Sequence, residues 1–141
     1  ASAFVGLYRS TACEQFFPYV SPQETGYRTD VRWAAVRDKE GRGLAFFGED
    51  LICFSALRYA IEDLMQTSRG TMHPTDLVER DFVELNVDYK QTGVGGEDSW
   101  GAWPYPQYTL FPKDYVYRFR IRPLDKDDDP MALSKRRIPL E

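Results

Sequence analysis

From Tyr27 to Ala35 the chain alternates, with Tyr27, Thr29, Val31, Trp33 and Ala35 on one face and Arg28, Asp30 and Arg32 on the other. A period of two residues is that of a half-buried β-strand. "DKEGRG" at 38–43 then reads as a charged hairpin loop, and "LAFFG" at 44–48 as the return strand. A third strand is predicted at Leu51–Leu57. In "LRYAIEDLMQTS", Ile61, Leu64 and Met65 have the i, i+3, i+4 spacing of a helix about two turns long. Alternation resumes at 82–90. It is clearest in "YVYRFRIR" (115–122), which predicts Tyr115, Tyr117, Phe119 and Ile121 pointing inward and Arg118, Arg120 and Arg122 pointing outward.

Short strands separated by turn chemistry, with one short helix, indicate an all-β fold, an antiparallel sandwich or part of one. No internal repeat is visible. After Pro123 the composition changes to "LDKDDDPMALSKRRIPLE", an acidic block followed by a basic one. The chain therefore divides into a domain over 1–124 and a charged C-terminal tail or linker over 125–141. Weak order is expected in the latter unless Met131, Leu133 and Ile138 dock on the sandwich.

Composition narrows the function. At 43% hydrophobic and 28% charged the chain is globular, and its 9 Phe, 9 Tyr and 3 Trp exceed what a core of this size needs. That surplus suggests an aromatic binding face. A net charge of -4 argues against nucleic acid, which is bound through clustered Lys and Arg. The longest apolar runs, at 44–47 and 51–54, are far shorter than the roughly 20 residues that span a bilayer. A soluble chain without a membrane partner is expected. It begins Ala-Ser-Ala, which reads as a cut piece and leaves the compartment, cytoplasmic or periplasmic, open. Cys13, Cys53 and the single His73 cannot by themselves make a four-ligand zinc site, so two reduced thiols and no metal are expected.

The stretch "QTGVGGEDSWGAWPYPQY" (91–108) carries the most specific chemistry. It is not a phosphate loop: it lacks the Gly-Lys-Ser/Thr signature, puts Glu97 and Asp98 where they would repel phosphate, and runs toward prolines. It also misses the dinucleotide spacing. What remains is a shaped loop in which Gly93, Gly95 and Gly96 set the backbone and Asp98 and Ser99 support Trp100. A rigid indole offers a flat apolar face to sugar C–H groups. The alternative is that Trp100 and Trp103 are core or lid residues. Glu24, Asp30, Glu62, Asp63, Glu97 and Asp98 could supply a carboxylate pair for glycoside hydrolysis, yet nothing in their spacing selects one. His73 reads as a loop histidine without triad partners. "PQETGYRTDVRW" (22–33) reads as a loop entering a strand, with a turn at Gly26.

Five ordered blocks, "YVSPQETGYRTDVRW", "FSALRYAIEDL", "LNVDYKQTGVGGEDSWGA", "PQYTL" and "YRFRIRPL", together resemble the C-terminal, small-chain domain of bacterial β-galactosidases of glycoside hydrolase family 2. The similarity covers roughly residues 6–124. It implies an antiparallel β-supersandwich, of which this chain is the C-terminal half. It also implies retaining cleavage of terminal β-D-galactosyl residues by two glutamates on a separate barrel domain. No catalytic residue is then expected in this chain, nor hydrolysis by it alone. The matching residue at the sugar is Trp100, between Ser99 and Gly101, stacking on the substrate at the mouth of the pocket. No cofactor is implied here, since the family's Mg and Na are held by other domains. The implied partners are lactose-like β-galactosides, the remaining domains of the same enzyme and a possible homo-oligomer. Three positions depart from the family pattern: Glu97 replaces aspartate, Tyr105 replaces histidine, and Ala60 replaces Ser or Thr at a helix N-cap worth ~1 kcal/mol.

Overall fold

The computed structural model describes residues 4–20, 25–65, 73–93 and 101–136. Four antiparallel strands form one sheet: β1 (Arg28–Arg37), β2 (Gly43–Leu57), β3 (Glu84–Asp88) and β4 (Phe119–Leu124). The hydrogen-bonded order is β1-β2-β3, with β4 also on β2. Three short helices accompany it, α1 (Ala12–Gln15), α2 (Ile61–Leu64) and α3 (Pro130–Ser134), together with 3-10 turns at Pro74–Asp76 and Pro106–Tyr108. The chain divides into two compact units, one of residues 1–27 with 55–86 and one of residues 28–54 with 87–141.

In the second unit the two strands expected at 44–48 and 51–57 are a single strand. The polar break between them is a bulge in it, not a turn. Between two register pairs β1 advances from Val31 to Trp33 while β2 runs from Ile52 back to Phe47, so the surplus residues of β2 protrude, and Glu49, Asp50 and Leu51 are exposed. A second irregularity lies between Arg28 and Val31, and there Asp30 takes a left-handed φ of 56°. Asp is among the few residues that tolerate that region. The loop between β1 and β2 is the expected hairpin: Asp38 N–H donates to the Arg42 carbonyl at 2.7 Å, and Arg42 N–H donates to the Asp38 carboxylate at 2.8 Å. These donors hold the Asp38 carboxyl below its ordinary pKa, the Arg42 N–H first among them.

The main core lies on one face of this sheet, where Ala45, Phe47, Leu124 and Leu133 pack together with Trp33 and Ala35 against them. The expected orientation of β4 is reversed. Leu124 is buried, and by the two-residue period Arg122 and Arg120 share its face, whereas Phe119 and Ile121 point away and Ile121 is 54% exposed. The reason is the segment 125–136, which covers the arginine side. Arg120 pairs across the ladder with Phe47, its guanidinium 4.6 Å from the ring centre, and donates to the carbonyls of Leu133 (3.0 Å) and Arg136 (3.1 Å). Arg122 meets the Asp128 carboxylate at 3.3 Å, and Arg37 donates to the carbonyls of Lys126 (3.2 Å) and Asp128 (2.6 Å). α3 starts because Asp129 caps it, accepting from Met131 N–H at 2.9 Å, with Pro130 preset for a first turn. Leu133 thus docks fully, Met131 is half exposed, and Ile138 lies outside the described residues.

In the first unit α2 is one turn, Ile61–Leu64, with Leu64 buried; the rest of the expected second turn falls mostly outside the described residues. Ala60 offers no side-chain cap, and its N–H donates instead to the Asp63 carboxylate at 2.9 Å. Arg80 completes the junction with Nε 2.9 Å from the same carboxylate. The helix α1 was not visible in the hydrophobic spacing because it is set by polar capping. Thr11 Oγ1 accepts from Glu14 N–H while the Glu14 carboxylate accepts from Thr11 N–H at 2.8 Å.

Candidate functional site

Of the loop 91–108, the structure describes both stems. Gly95, Gly96, Glu97, Asp98, Ser99 and Trp100 lie outside the described residues, as does Glu24. The stems run side by side. Gly93 N–H donates to the Tyr108 carbonyl at 2.7 Å, and Leu110 N–H donates to Thr92 Oγ1 at 3.4 Å. Gly93 is required by close approach, because a Cβ there would stand 2.8 Å from Tyr108 Cβ and 3.2 Å from its carbonyl oxygen. On the far side Gly101 has φ 102°, a conformation that side chains disfavour.

The second stem is stiffened by proline and by Thr109. Pro106 opens the 3-10 turn, Tyr108 N–H donates to the Tyr105 carbonyl at 2.8 Å, and Thr109 Oγ1 donates to the carbonyls of Pro104 (3.3 Å) and Tyr105 (3.2 Å). The pattern of glycines pointed to Gly93, but not to Thr92, Tyr108 and Thr109, which close the stem. The Pro-Gln-Tyr segment after Tyr105, with proline at the start of a helical turn, was the available signal.

Aromatic residues crowd this unit. Tyr89, directly before the loop, meets Tyr117 at 5.6 Å and Tyr115 at 6.0 Å between ring centres, and Tyr117 stacks on Phe119 at 5.1 Å. Lys90 and Lys113 sit over the Tyr89 and Tyr115 rings, 5.0 and 5.3 Å from their centres. The Tyr117 hydroxyl is buried without a hydrogen-bond partner among the described residues. Burial, reinforced by Asp88 and Cys53, pushes its pKa up. Beyond the rings, Trp103, Tyr105 and Tyr108 are exposed.

The other sequence candidates are dispersed. Asp63 is engaged by Arg80 and by Ala60 N–H, which hold its carboxyl down at about 2, Arg80 contributing most. Asp30 is exposed at its bulge, Glu62 is exposed, and His73 is an exposed N-cap whose N–H donates to Asp76 at 2.8 Å. Cys53 is buried with its thiol toward the Tyr89 carbonyl, and Cys13 is exposed; both are free thiols. Among the described residues no cluster of three or more His, Cys, Asp or Glu could hold a metal, and no helix is long and apolar enough to cross a membrane.

The model of the "Beta galactosidase small chain" family matches residues 1–121. The chain belongs to the β-galactosidase small-chain family. It is 39% identical over 123 residues to a β-galactosidase of Priestia megaterium, covering 86% of this chain and 12% of that one. A Streptococcus thermophilus β-galactosidase is 34% identical over 125 residues, covering 87% and 12%. One from Vibrio vulnificus strain YJ016 is 30% identical over 126 residues, covering 89% and 11%. The chain thus spans about an eighth of the length of these relatives. The small-chain match ends at 121, so α3 and the segment that covers the arginine face of β4 lie beyond it.

Proposed function

We propose that this chain is the part of a retaining β-galactosidase that completes the mouth of the sugar site, with Trp100 as the stacking face for the galactoside. The observation that carries the reading is the small-chain match across the Asp-Ser-Trp loop, whose stems are tied by the Gly93–Tyr108 hydrogen bond. The short hydrogen bond at its base and the prolines of its second stem fix the two ends from which the loop is carried. A preoriented ring orders a shallow substrate at little entropic cost. The two glutamates that cleave the glycosidic bond, and any Mg or Na, belong to other parts of the enzyme, so the isolated chain binds weakly and does not hydrolyse.

The same reading accounts for the sheet's second apolar face. Leu44, Phe119 and Ile121 are exposed on it beside buried Ala34 and Phe46, the arrangement of a sheet that receives another layer. In this proposal the four strands are one part of a β-supersandwich whose remainder is supplied by the rest of the same polypeptide, with self-association of the enzyme as a further partner.

The test is Trp100→Ala in the full-length enzyme carrying this segment. KM for lactose and for 4-nitrophenyl galactoside is expected to rise about tenfold, the loss of one aromatic stacking contact, with the melting temperature nearly unchanged. Unaltered kinetics would sink the assignment and leave a purely structural domain.

A further inference from the structure

We propose that the arginine face of β1 and β4 is a peptide-binding groove, that segment 125–136 is its ligand, and that this ligand detaches as a unit while the sheet stays folded. Three guanidinium groups line the groove. Arg37 donates to the carbonyls of Lys126 and Asp128, Arg120 to those of Leu133 and Arg136, and Arg122 to the Asp128 carboxylate. Four backbone carbonyls and one side chain are thus held from this face, so the path of the peptide is recognised more than its sequence. Two side chains give the specificity. Asp128 meets Arg122, and five residues further on Leu133 is buried among Ala45, Phe47 and Leu124.

The segment is separable from what it covers. Among the described residues its backbone–backbone hydrogen bonds stay within it: Asp128 N–H donates to the Asp125 carbonyl at 3.1 Å, Leu133 N–H to that of Asp129 at 3.0 Å, and Arg136 N–H to that of Leu133 at 3.2 Å. The ladder between β2 and β4 ends at the Gly43–Leu124 pair and uses none of it. Lifting the segment away therefore breaks no strand pairing. Leu133 is its single buried residue, so one anchor carries the apolar part of the contact. The groups left behind include three guanidinium heads, which water solvates, and opening gives water to Arg120 Nε, buried without a partner among the described residues. A local opening that keeps the sheet's hydrogen bonds costs less than unfolding the sheet. The family match points the same way. It ends at residue 121, so Arg37, Phe47 and Arg120 lie in the shared part of the chain and the ligand lies outside it. The segment is laid on the family's sheet and is not one of the elements that build it.

The test is amide hydrogen exchange in the full-length enzyme carrying this segment, followed by binding of a labelled peptide of residues 125–136. In the parent, 125–136 is expected to exchange at least about tenfold faster than β1 and β2. Leu133→Ala is expected to speed exchange over 125–136 about thirtyfold or more and to leave β1 and β2 as they were. In Leu133→Asp the resident segment is released, and the enzyme is expected to bind the added peptide. A peptide carrying Leu133→Ala, or an enzyme carrying Arg120→Ala as well, is expected not to bind. Exchange of 125–136 in step with β1 and β2 in the parent overturns the proposal, because the segment then opens only with the sheet. Equal acceleration of segment and sheet in Leu133→Ala overturns it for the same reason. A released segment beside a protected sheet, with no peptide bound, removes the groove. Should Leu133→Asp fail to fold, exchange in the parent and in Leu133→Ala still decides whether the segment detaches by itself.

Discussion

Arg118 and Arg120 are alike in the strand pattern, and the structure separates them sharply enough to measure. Arg118 is exposed and, among the described residues, its side chain meets Glu49 at 3.5 Å, itself half exposed, so Arg118→Ala is expected to cost no more than about 0.5 kcal/mol. Arg120→Ala removes two charge-assisted hydrogen bonds to the carbonyls of Leu133 and Arg136, and the stacking of guanidinium on Phe47. Taken singly these contacts are worth about 1.5–3 and 0.5–2 kcal/mol. They are not additive, and Arg120 Nε is already buried without a partner among the described residues. A net loss of about 2–3 kcal/mol follows. With a denaturant slope of about 2 kcal/mol/M, the urea midpoint of the chain falls by about 1–1.5 M for Arg120→Ala and by less than about 0.3 M for Arg118→Ala. Urea titrations read by tryptophan fluorescence give both values. Equal, small shifts for the two variants would refute the reversed orientation of β4 and return the arginines to the solvent face.

Two further expectations concern the loop stem and the pH response. Gly93→Ala puts a methyl 2.8 Å from Tyr108 Cβ; overpacking of about 1–3 kcal/mol outweighs the gain of about 0.4–1 kcal/mol from a stiffer unfolded chain. The variant is expected to melt lower and to raise KM in the full-length enzyme, and an unchanged melting curve would show that the stems do not meet there. For Asp63 the folded carboxyl, at about 2, lies below its unfolded value of about 4. Its contribution is therefore complete above about pH 4 and is lost as pH falls toward 2. Asp63→Asn is expected to lower the melting temperature at neutral pH and to flatten its dependence between about pH 4 and 2; parallel curves for variant and parent would exclude the Arg80 pair as the cause.

The sequence determined the local features of this protein. Alternation located β1, the core of β3 and the first part of β4, and the "DKEGRG" turn followed from the chemistry of Asp38 and its neighbours. The ordered motif blocks determined the family, because a motif records an ancestry independently of where its side chains point. Alternation alone, however, says which residues share a face and not which face is covered. Arg120 and Arg122 turned inward because segment 125–136, which composition marked as a tail, brings Leu133 and its backbone carbonyls over them. The fusion of two expected strands into β2 was likewise a tertiary outcome. A polar break can be a turn or a bulge, and pairing with β1 on both sides of it selected the bulge. The stem of the candidate loop divides the same way. Its glycines were legible as backbone switches, but the contact that makes Gly93 indispensable comes from Tyr108, across the loop, and only folding sets two residues of that separation 2.7 Å apart.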